Sequence, residues 1–335
     1  MGYNRLHIAL TGGDLRALVT GITGFAGSHL ADYLLADTEL EIFGVDLRGF
    51  PTSAPRSDRL RLCQGDLCDP DFVLSSLEEA QPQYLFHLAA QALVPLSWEN
   101  PWGTLANNIR GQLNLFQGVL RLGQKPRILV VGSADEYGMV RPEELPISED
   151  TPLRPYNPYA VSKVVQDMLG YQYFASHGLY VVRVRPFNHI GPRQSAGFVT
   201  AAFAKQIAEA EAGRTPPVVK VGNLEVKRDF TDVRDMVAAY YLALSKGEPG
   251  EVYNIGSGIA RSIREVLDIL LAESKMELTV QEDPTRLRRS EVPVVACDSR
   301  KFRERTGWEA RIPLEESLRD ILDYWREEVE KEEKW

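Results

Sequence analysis

The sequence of 335 residues is poor in cysteine and in long apolar runs. Its three cysteines, Cys63, Cys68 and Cys297, are too few for a disulfide framework and lack the spacing of a zinc site. No apolar run approaches the roughly 18 to 20 residues that cross a bilayer, and the N-terminus has no apolar segment with a cleavage site. From these absences we expect a protein of the reducing cytoplasm, with no metal site, export signal or membrane span.

The sequence also has fewer basic residues than acidic ones. The chain has 38 Lys and Arg residues against 47 Asp and Glu residues, which gives a formal net charge of −9. Proteins that bind a phosphate backbone normally carry a basic surplus, so we expect no nucleic-acid partner. A local basic pocket for one anionic ligand is compatible with this total. Hydrophobic residues make up 44% and charged residues 25%, which is ordinary for a globular chain.

The pattern of apolar residues predicts a parallel sheet in the first half of the chain. Nearly unbroken apolar runs are typical of strands buried on both faces of such a sheet. These runs cover residues 17–20, 41–45, 60–62, 84–88, 127–131 and 180–184. Helical patterns separate them at residues 28–37, 104–122 and 157–177. The alternation of strand and helix predicts a doubly wound α/β sheet over residues 15–185.

The second half of the chain predicts a smaller, mixed lobe. From residue 186 onward the alternation weakens, and Pro, Gly and polar residues cluster at 186–197 and 213–217. Helical patterns return at residues 232–245, 262–274 and 314–330. We therefore expect residues 186–335 to form mainly a second α/β lobe, with some segments crossing back to the first domain.

A glycine-rich turn follows the first predicted strand and opens a helical run. Gly21, Gly24 and Gly27 are spaced one residue wider than the common dinucleotide fingerprint, with Phe25 and Ala26 between the last two. Glycines allow a tight turn and let the backbone approach a pyrophosphate, which the N–H groups of the helix start bind. Glycine triplets alone are weak evidence, but this one lies between a strand and a helix. We therefore predict a dinucleotide site.

An acidic residue at the end of the second predicted strand predicts which dinucleotide binds. Asp46 lies 19 residues after Gly27, where the partner of a ribose 2′-hydroxyl is expected. Its carboxylate accepts a hydrogen bond from the hydroxyl and repels a 2′-phosphate, which favours NAD(H). Arg48 keeps NADP(H) possible, because it can hold a phosphate; the alternative is an ordinary surface arginine.

Three polar residues predict proton-transfer chemistry. Tyr159 and Lys163 are four residues apart, hence on one face of a helix that starts after Asn157. An adjacent ammonium favours phenolate, so we expect the pKa of Tyr159 to be lowered from about 10. Ser133 ends a predicted strand at the carboxyl edge of the sheet and can share a substrate oxygen with Tyr159. The alternative for Ser133 is a capping or turn serine.

These motifs together resemble the extended short-chain dehydrogenase/reductase family, in order and over nearly the whole chain. The matching residues are Gly21, Gly24, Gly27, Asp66, Leu67, residues 87–90, Asn108, Ser133, Tyr159, Lys163 and residues 185–188. The resemblance implies an NAD(P)-binding Rossmann domain over residues 15–185 and a substrate-binding lobe over 186–335. Residues 1–14 fall outside the match and look like an N-terminal extension.

The resemblance also implies roles for individual residues. Ser133, Tyr159 and Lys163 are the expected catalytic set, with Tyr159 and Lys163 also binding the cofactor. Asp66 and Leu67 are expected to flank the adenine. Further cofactor contacts are expected from Leu88, Ala89, Ala90, Asn108 and Pro186.

Within that family, three segments of the second lobe resemble a branch that acts on GDP-mannose derivatives. They cover residues 188–194, 221–230 and 287–292. The branch implies a GDP-sugar substrate, and the expected substrate contacts are Ser133, Asn188, Lys205, Arg228, Arg288 and Glu291.

Charge supports two of these contacts and leaves alternatives open. Arg228 and Lys205 suit the diphosphate because charge-assisted hydrogen bonds suit phosphate oxygens. Lys205 could instead be an exposed lysine on a helix that binds no ligand. Arg228 could instead form an ion pair with Asp229 or Asp232. Glu291 is expected to accept hydrogen bonds from the ribose hydroxyls of the nucleotide. Arg288 is expected to cover the same site.

The segment after the fifth predicted strand discriminates between two reactions of this branch. Dehydratases of the branch carry Thr-Ser-Glu ahead of Tyr-Gly, whereas this chain has Ser133, Ala134 and Asp135, followed by Glu136. Asp135 is one methylene shorter than the dehydratase Glu, and a misplacement near 1 Å can cost about a hundredfold in rate. Glu136 is one residue out of register and is expected to point elsewhere.

The resemblance, which extends over almost all of residues 15–325, implies reduction of the C4 ketone of GDP-4-keto-6-deoxy-D-mannose to GDP-D-rhamnose by NAD(P)H, with Tyr159 as proton donor. The first alternative is GDP-mannose 4,6-dehydration, or another sugar-nucleotide epimerase or dehydratase reaction of the family, in which Asp135 acts catalytically. The second is a non-catalytic NAD-binding scaffold, since a fold alone does not give a function. Retention of Ser133, Tyr159 and Lys163 argues against the scaffold.

Relatives in this family pair through two long helices, which form a four-helix bundle across a twofold axis. Here these helices are predicted at residues 104–122 and 157–177, so we expect a homodimer. Packing in the core explains some of the candidate apolar contacts equally well; the candidates are Leu113, Leu115, Val119, Val164, Val165 and Met168.

Overall fold

The computed structural model describes residues 15–49, 57–286 and 292–332. The predicted extension at residues 1–14 and the predicted substrate contacts Arg288 and Glu291 lie outside the described residues. The strands are β1 (Arg16–Thr20), β2 (Glu41–Asp46), β3 (Leu60–Gln64), β4 (Tyr84–His87), β5 (Arg127–Val131), β6 (Tyr180–Pro186), β7 (Asn188–Ile190), β8 (Val218–Val221), β9 (Lys227–Asp232), β10 (Val252–Ile255), β11 (Ala260–Ser262) and β12 (Thr279–Glu282).

The helices alternate with these strands along the chain. They are α1 (Phe25–Asp37), α2 (Pro70–Ala80), α3 (Val94–Glu99), α4 (Pro101–Arg121), α5 (Pro158–His177), α6 (Val199–Glu211), α7 (Val233–Lys246), α8 (Ile263–Ala272), α9 (Arg300–Thr306) and α10 (Leu314–Glu332). Short 3₁₀ turns cover Ala134–Glu136, Pro142–Glu144 and Pro284–Arg286. None of the helices in the described ranges is long and apolar enough to cross a membrane.

Seven strands form one parallel sheet in the order β10-β6-β5-β4-β1-β2-β3. The order reverses between β1 and β4, so the chain winds outward in both directions and confirms the predicted doubly wound α/β fold. Every strand ends at the same edge of the sheet. A crevice at the carboxyl ends of the strands, near the point of reversal, is where ligands bind in such sheets.

Two apolar layers cover the sheet. On one face the core includes Leu30 of α1, Val237 of α7 and Phe302 of α9. On the other face it includes Leu77 of α2 and Phe116 of α4. These strands bury both faces because their apolar residues do not alternate with polar ones.

Two residues that the sequence offered as dimer contacts belong to this core. Leu115 and Val119 of α4 are 2% and 0% exposed and pack beneath the sheet. For these two residues the alternative of core packing is correct, because they lie on the side of α4 that faces the strands. Leu113, Val164 and Val165 are partly buried, and the Met168 side chain is exposed.

The second half of the chain builds two smaller sheets around a separate core. β9 pairs parallel with β7 and antiparallel with β11, and β12 pairs parallel with β8. Helices α6, α8 and α10 pack on these strands through residues such as Ile207, Leu267 and Ile321. β10, α7 and α9 of this half instead join the large sheet and its core. β7 follows β6 directly, so the smaller lobe starts at the carboxyl edge of the large sheet.

Candidate active site

The predicted site residues meet at the carboxyl edge of the large sheet. The glycine loop follows β1, Leu88 follows β4, Ser133 follows β5, and Pro186 ends β6. β1, β4, β5 and β6 are neighbours in the sheet. Segments that are far apart in sequence therefore line one crevice.

The glycine loop has the geometry of an anion-binding turn. Gly21 adopts a φ of +72°, and a Cβ there would lie 2.9 Å from the Cα of Ala89. A Cβ on Gly27 would lie 2.0 Å from the carbonyl oxygen of Gly21. Helix α1 starts at Phe25, and its N-cap Gly24 makes no side-chain capping bond. The backbone N–H groups of this first turn, which includes Ala26, are suited to a pyrophosphate, so the loop fits a dinucleotide.

The Asp46 carboxylate is fixed beside this loop. One oxygen accepts the N–H of Thr23 at 3.0 Å, and the other accepts the N–H of Arg48 at 3.2 Å. Asp46 is half-buried, whereas the Arg48 side chain is exposed. The structure therefore places the acid at the end of β2, with Arg48 two residues beyond it on the surface.

The next predicted cofactor segment follows β3. Asp66 is exposed, and its Oδ1 accepts the N–H of Cys68 at 2.8 Å. Leu67 between them is half-buried, and its carbonyl accepts from the Asn114 side chain at 2.8 Å. These bonds give the segment a defined shape beside α4.

A buried histidine supports the loop after β4. Nδ1 of His87 lies 2.9 Å from Oγ1 of Thr20, and that hydroxyl accepts the N–H of Ala89 at 3.3 Å. Burial and the nearby Lys163 charge lower the pKa of His87 to about 3, so it stays neutral. The sequence showed His87 as part of a motif but gave it no role. In the structure it holds the segment formed by Leu88, Ala89 and Ala90, which are half-buried.

Asn108 ties this segment to helix α5. Its Oδ1 accepts the N–H of Gln91 at 2.8 Å, and its Nδ2 donates to Oγ of Ser162 at 2.9 Å. Ser162 in turn donates to the carbonyl of Tyr159 at 2.7 Å. Asn108 is 1% exposed, so the structure places its side chain between α4 and α5.

Tyr159 and Lys163 lie one turn apart near the start of α5. The side chain of Asn157 caps this helix by accepting the N–H of Ala160 at 2.7 Å. Nζ of Lys163 donates to the carbonyl of Val131 at 2.9 Å and lies 5.9 Å from the centroid of the Tyr159 ring. Burial lowers the pKa of Lys163 to about 8.

The pKa of Tyr159 is raised, which corrects the sequence-based expectation. Burial raises it most, and the Asp135 charge raises it further, while a hydrogen bond with Ser133 lowers it. The Lys163 ammonium donates to a backbone carbonyl rather than to the phenol. Burial and the neighbouring carboxylate therefore outweigh any stabilisation of the phenolate.

Ser133 caps a turn and also contacts the Tyr159 phenol. Its Oγ accepts the N–H of Asp135 at 3.1 Å and caps the turn at Ala134–Glu136. The same side chain hydrogen-bonds Tyr159. Asp135 is half-buried and close enough to Tyr159 to raise its pKa, whereas Glu136 points into the interior toward Arg185. Asp135 therefore lies beside the Tyr159 phenol, whereas the Glu136 carboxyl lies beneath the turn and accepts the backbone N–H of Ser133 at 2.8 Å.

The predicted substrate residues are spread over the smaller lobe. Asn188 is exposed at the start of β7, next to Pro186. Nη1 of Arg228 donates to the carbonyls of Lys227 and Val292, each at 2.8 Å. Arg228 thereby holds β9 to the segment that starts at residue 292.

Lys205 faces a neighbouring helix. Its Nζ lies 3.6 Å from a carboxylate oxygen of Glu209 and 5.4 Å from the centroid of the Trp325 ring on α10. Lys205 is half-buried and not the exposed helix lysine that the sequence offered as the alternative, and its contact with a diphosphate stays a prediction.

The two acids offered as alternative partners of Arg228 bind other groups. Asp229 accepts the backbone N–H groups of Ser257, Gly258 and Cys297. Asp232 accepts two hydrogen bonds from the Arg234 side chain, both at 2.8 Å.

The chain is similar in sequence to enzymes that act on GDP-sugars. The family model described as GDP-mannose 4,6 dehydratase matches residues 18–321. GDP-6-deoxy-D-mannose reductase of Pseudomonas aeruginosa is 39% identical over 318 residues, covering 95% of this chain and 99% of that protein. GDP-mannose 4,6-dehydratase of Vibrio cholerae is 28% identical over 348 residues, covering 91% of this chain and 92% of that protein.

Solved structures give the same picture of the fold. The structure of RMD from Pseudomonas aeruginosa complexed with NADPH is 37% identical, with a TM-score of 0.83, and covers 94% of this chain and 100% of its own. UDP-glucose 4-epimerase of Thermus thermophilus in complex with NAD is 29% identical, with a TM-score of 0.83, and covers 93% of this chain and 99% of its own.

Proposed function

The chain belongs to the GDP-mannose 4,6-dehydratase family of extended short-chain dehydrogenases/reductases, and we propose that it is a reductase within that family. The reaction is reduction of the C4 ketone of GDP-4-keto-6-deoxy-D-mannose to GDP-D-rhamnose by a reduced nicotinamide dinucleotide. The observation that carries this choice is the segment from Ser133 to Glu136. It has a serine and a short carboxylate where a dehydratase has a threonine and a glutamate. The 39% identity to a GDP-6-deoxy-D-mannose reductase supports the same choice.

The glycine loop, Asp46 and the loop after β4 suit a nicotinamide dinucleotide. When bound, this cofactor supplies the hydride that reduces the ketone carbon. The uncapped first turn of α1 suits the pyrophosphate, and Lys163 suits the nicotinamide ribose. We propose that Asp46 makes NAD(H) the preferred form. The Pseudomonas relative was solved with NADPH, and the exposed Arg48 beside Asp46 keeps NADP(H) as the alternative.

Three side chains of the protein take part in protonation of the ketone oxygen. Tyr159 donates its phenolic proton to that oxygen as the C4 alkoxide forms. The phenol is protonated at neutral pH, because burial and the Asp135 charge raise its pKa, and only the protonated form can donate. Ser133 hydrogen-bonds the same oxygen and orients the ketone. Lys163, with a pKa of about 8, stays largely cationic near neutrality and favours the phenolate that remains.

Dehydration demands chemistry that these residues supply poorly. Elimination of water needs an additional acid/base group at C5 and C6. Asp135 faces Tyr159 but is one methylene shorter than the glutamate of a dehydratase. Glu136 has the required length but lies in the interior, 3.2 Å from Arg185. The position of these two carboxylates therefore favours reduction.

We also propose the binding residues and surroundings of the site. Ser133, Asn188, Lys205 and Arg228 are the described candidates for the GDP-sugar, and residues 186–335 act mainly as the substrate lobe. A cytoplasmic location agrees with a chain of only three cysteines.

A homodimer is part of the proposal. Helices α3, α4 and α5 each carry exposed apolar side chains, which suits a bundle of helices between two copies. They are Trp98, Trp102, Val161, Met168 and Tyr171.

Two incubations test the reaction. With GDP-mannose alone, mass spectrometry should find little 4-keto-6-deoxy product. With the 4-keto-6-deoxy intermediate and reduced cofactor, cofactor oxidation should match product formation one to one. Asp135→Glu restores the longer carboxylate and should raise dehydration more than reduction.

The opposite outcomes identify the alternatives. Rapid conversion of GDP-mannose by the unmodified protein would assign it as a dehydratase. Cofactor binding without turnover of any 4-keto sugar nucleotide would support the non-catalytic scaffold.

A further inference from the structure

A buried carboxylate holds the turn that carries Ser133. Glu136 is 0% exposed, and its Oε1 accepts the backbone N–H of Ser133 at 2.8 Å. This carboxylate lies so close beneath the turn that a Cβ on Gly132 would fall 2.2 Å from Oε1. The position of Ser133 therefore depends on where the Glu136 carboxylate is held.

The same carboxylate reaches a guanidinium on β6. Oε2 of Glu136 lies 3.2 Å from Nε of Arg185. Nε and Nη2 of Arg185 contact Oδ2 of Asp167 at 2.7 and 2.5 Å, and Nη1 donates to the Tyr137 hydroxyl at 3.0 Å. Arg185 is 4% exposed, so water screens these contacts little.

Asp167 extends this connection to helix α5. Tyr159, Lys163 and Asp167 follow one another at intervals of four residues and share one face of the helix. The Glu136 link, which consists of Glu136, Arg185 and Asp167, therefore joins the Ser133 turn to the helix face of Tyr159. If the turn moved along α5, the buried Glu136 carboxyl would lose its contact with the Arg185 guanidinium, which costs folding free energy.

We propose that Glu136 is a positioning residue for the reduction. Through the Glu136 link it fixes the Ser133 hydroxyl relative to the Tyr159 phenol, so that both meet one ketone oxygen. Glu136 itself does not touch the substrate and acts through Ser133. This inference rests on the proposed function, because the distance between the Ser133 hydroxyl and the Tyr159 phenol matters only if both contact one ketone oxygen.

Stability alone is a weak reason for such a link. Buried ion pairs often stabilise a fold no more than apolar side chains of similar volume, because each charge loses its hydration. Arg183 completes the charge balance: its Nη1 contacts Oδ1 of Asp167 at 2.6 Å, and its Nη2 donates to the Gly250 carbonyl. Two carboxyl groups and two guanidiniums are thus buried together. Burial and the neighbouring Asp167 raise the pKa of Glu136 well above its usual range, while the Arg185 charge opposes that rise. Of the two arginines, Arg185 contacts both carboxylates and connects them.

Glu136→Gln tests the link. The amide keeps an acceptor for the Ser133 N–H and places an N–H donor where Oε2 now faces Nε of Arg185. We expect kcat to fall about 10- to 100-fold, since a misplacement near 1 Å costs up to about that much, while the KM for the cofactor stays near the unmodified value. The kinetic isotope effect with a cofactor deuterated at the transferred hydrogen should rise, because a misaligned ketone slows the hydride step itself.

Two further variants separate positioning from folding. Glu136→Gln combined with Arg183→Gln leaves Asp167 and Arg185 as one acid–base pair, so it keeps the cluster balanced without restoring the link. We expect its thermal stability to recover while kcat stays low. Glu144→Gln is the matched control, because Glu144 also closes a capping box on a 3₁₀ turn and binds an arginine, Arg154, away from α5. It should keep the unmodified kcat and isotope effect.

The outcomes decide the proposal in either direction. Recovery of kcat together with stability in the double variant, or an unchanged isotope effect in Glu136→Gln, would overturn it. If the unmodified protein reduces no 4-keto sugar nucleotide, the proposed function fails separately. Crystal structures then decide the positioning: a Ser133 turn displaced from Tyr159 in Glu136→Gln supports it, and an unmoved turn overturns it.

Discussion

Nη2 of Arg193 contacts Nδ1 of His29 at 2.7 Å and joins the loop before α6 to helix α1. The same nitrogen of Arg193 contacts Asp32 at 2.7 Å, and Nε2 of His29 contacts the Pro192 carbonyl at 2.9 Å. Arg193 adopts a left-handed φ of +71° to make these contacts. The helix that opens at the glycine loop is thus bound directly to the smaller lobe.

Replacing Arg193 with glycine and with alanine separates its backbone strain from its contacts. Both variants lose the bonds to His29 and Asp32 and should unfold at lower temperature. Glycine relieves the left-handed conformation, which costs an alanine about 1 kcal/mol, so Arg193→Ala should be the less stable of the two. Thermal unfolding of the pair measures the difference. Equal stabilities would mean that the backbone at residue 193 relaxes.

The unfolding free energy should decrease in acid because of His29. Burial lowers the pKa of His29 from 6.5 to about 4. Between these values the unfolded chain binds a proton that the folded chain does not, so stability falls as pH drops from 6.5 toward 4. The limit is about 1.4 kcal/mol per pH unit.

Urea unfolding at pH 6.5 and pH 5 measures this effect. His29→Gln should lose less stability over that interval than the unmodified protein, because it lacks the contribution of His29. It should still lose some stability, because both proteins keep His87, whose pKa is also lowered by burial. Identical losses in the two proteins would assign the acid sensitivity to other groups.

Tyr159→Phe tests the proton donor. Without the phenol, turnover should fall roughly 10²- to 10⁴-fold, while cofactor affinity stays unchanged because the proton is needed only in the transition state. Stopped-flow reduction and fluorescence titration of the cofactor measure the two quantities. Tyr171→Phe, at an exposed tyrosine of the same helix, is the control. Near-normal turnover in Tyr159→Phe would remove this residue as the acid.

Asp46→Ala tests cofactor preference. The Asp46 carboxylate should give NADH a lower KM than NADPH, because it repels the 2′-phosphate, and its removal should narrow or reverse that difference. Steady-state kinetics with both cofactors measure the ratio. Asp37→Ala, at an exposed carboxylate at the end of α1, should leave the ratio unchanged. Preference of the unmodified protein for NADPH would assign control to Arg48.

Met168→Glu tests the proposed dimer. Met168 is 42% exposed on α5, so a charge there should disrupt a helix bundle between two copies. Light scattering at micromolar concentration should give a dimer mass for the unmodified protein and a lower average mass for the variant. Met276→Glu, at a methionine of similar exposure in the smaller lobe, should remain dimeric. A monomeric unmodified protein would end this proposal.

Much of the fold could be predicted from local sequence, because each signal needed only neighbouring residues. Unbroken apolar runs predicted the strands of the parallel sheet, and the spacing of Tyr159 and Lys163 placed both on one helix face. The start of α1 was less accurate: the pattern indicated residue 28, whereas the helix begins at Phe25. Glycine in the sequence indicates a turn, yet Gly27 lies inside the first helical turn.

Burial and long-range partners were decided by the tertiary structure. The sequence placed a cation near Tyr159 but not the burial and the Asp135 charge that raise its pKa. Periodicity placed Leu115 and Val119 on α4 without showing that their side faces the sheet. Glu136, Asp167 and Arg185 belong to three separate segments, and only the packing of a turn, a helix and a strand brings their charges together. Local patterns specify which elements form, whereas desolvation and charge pairing depend on how those elements meet.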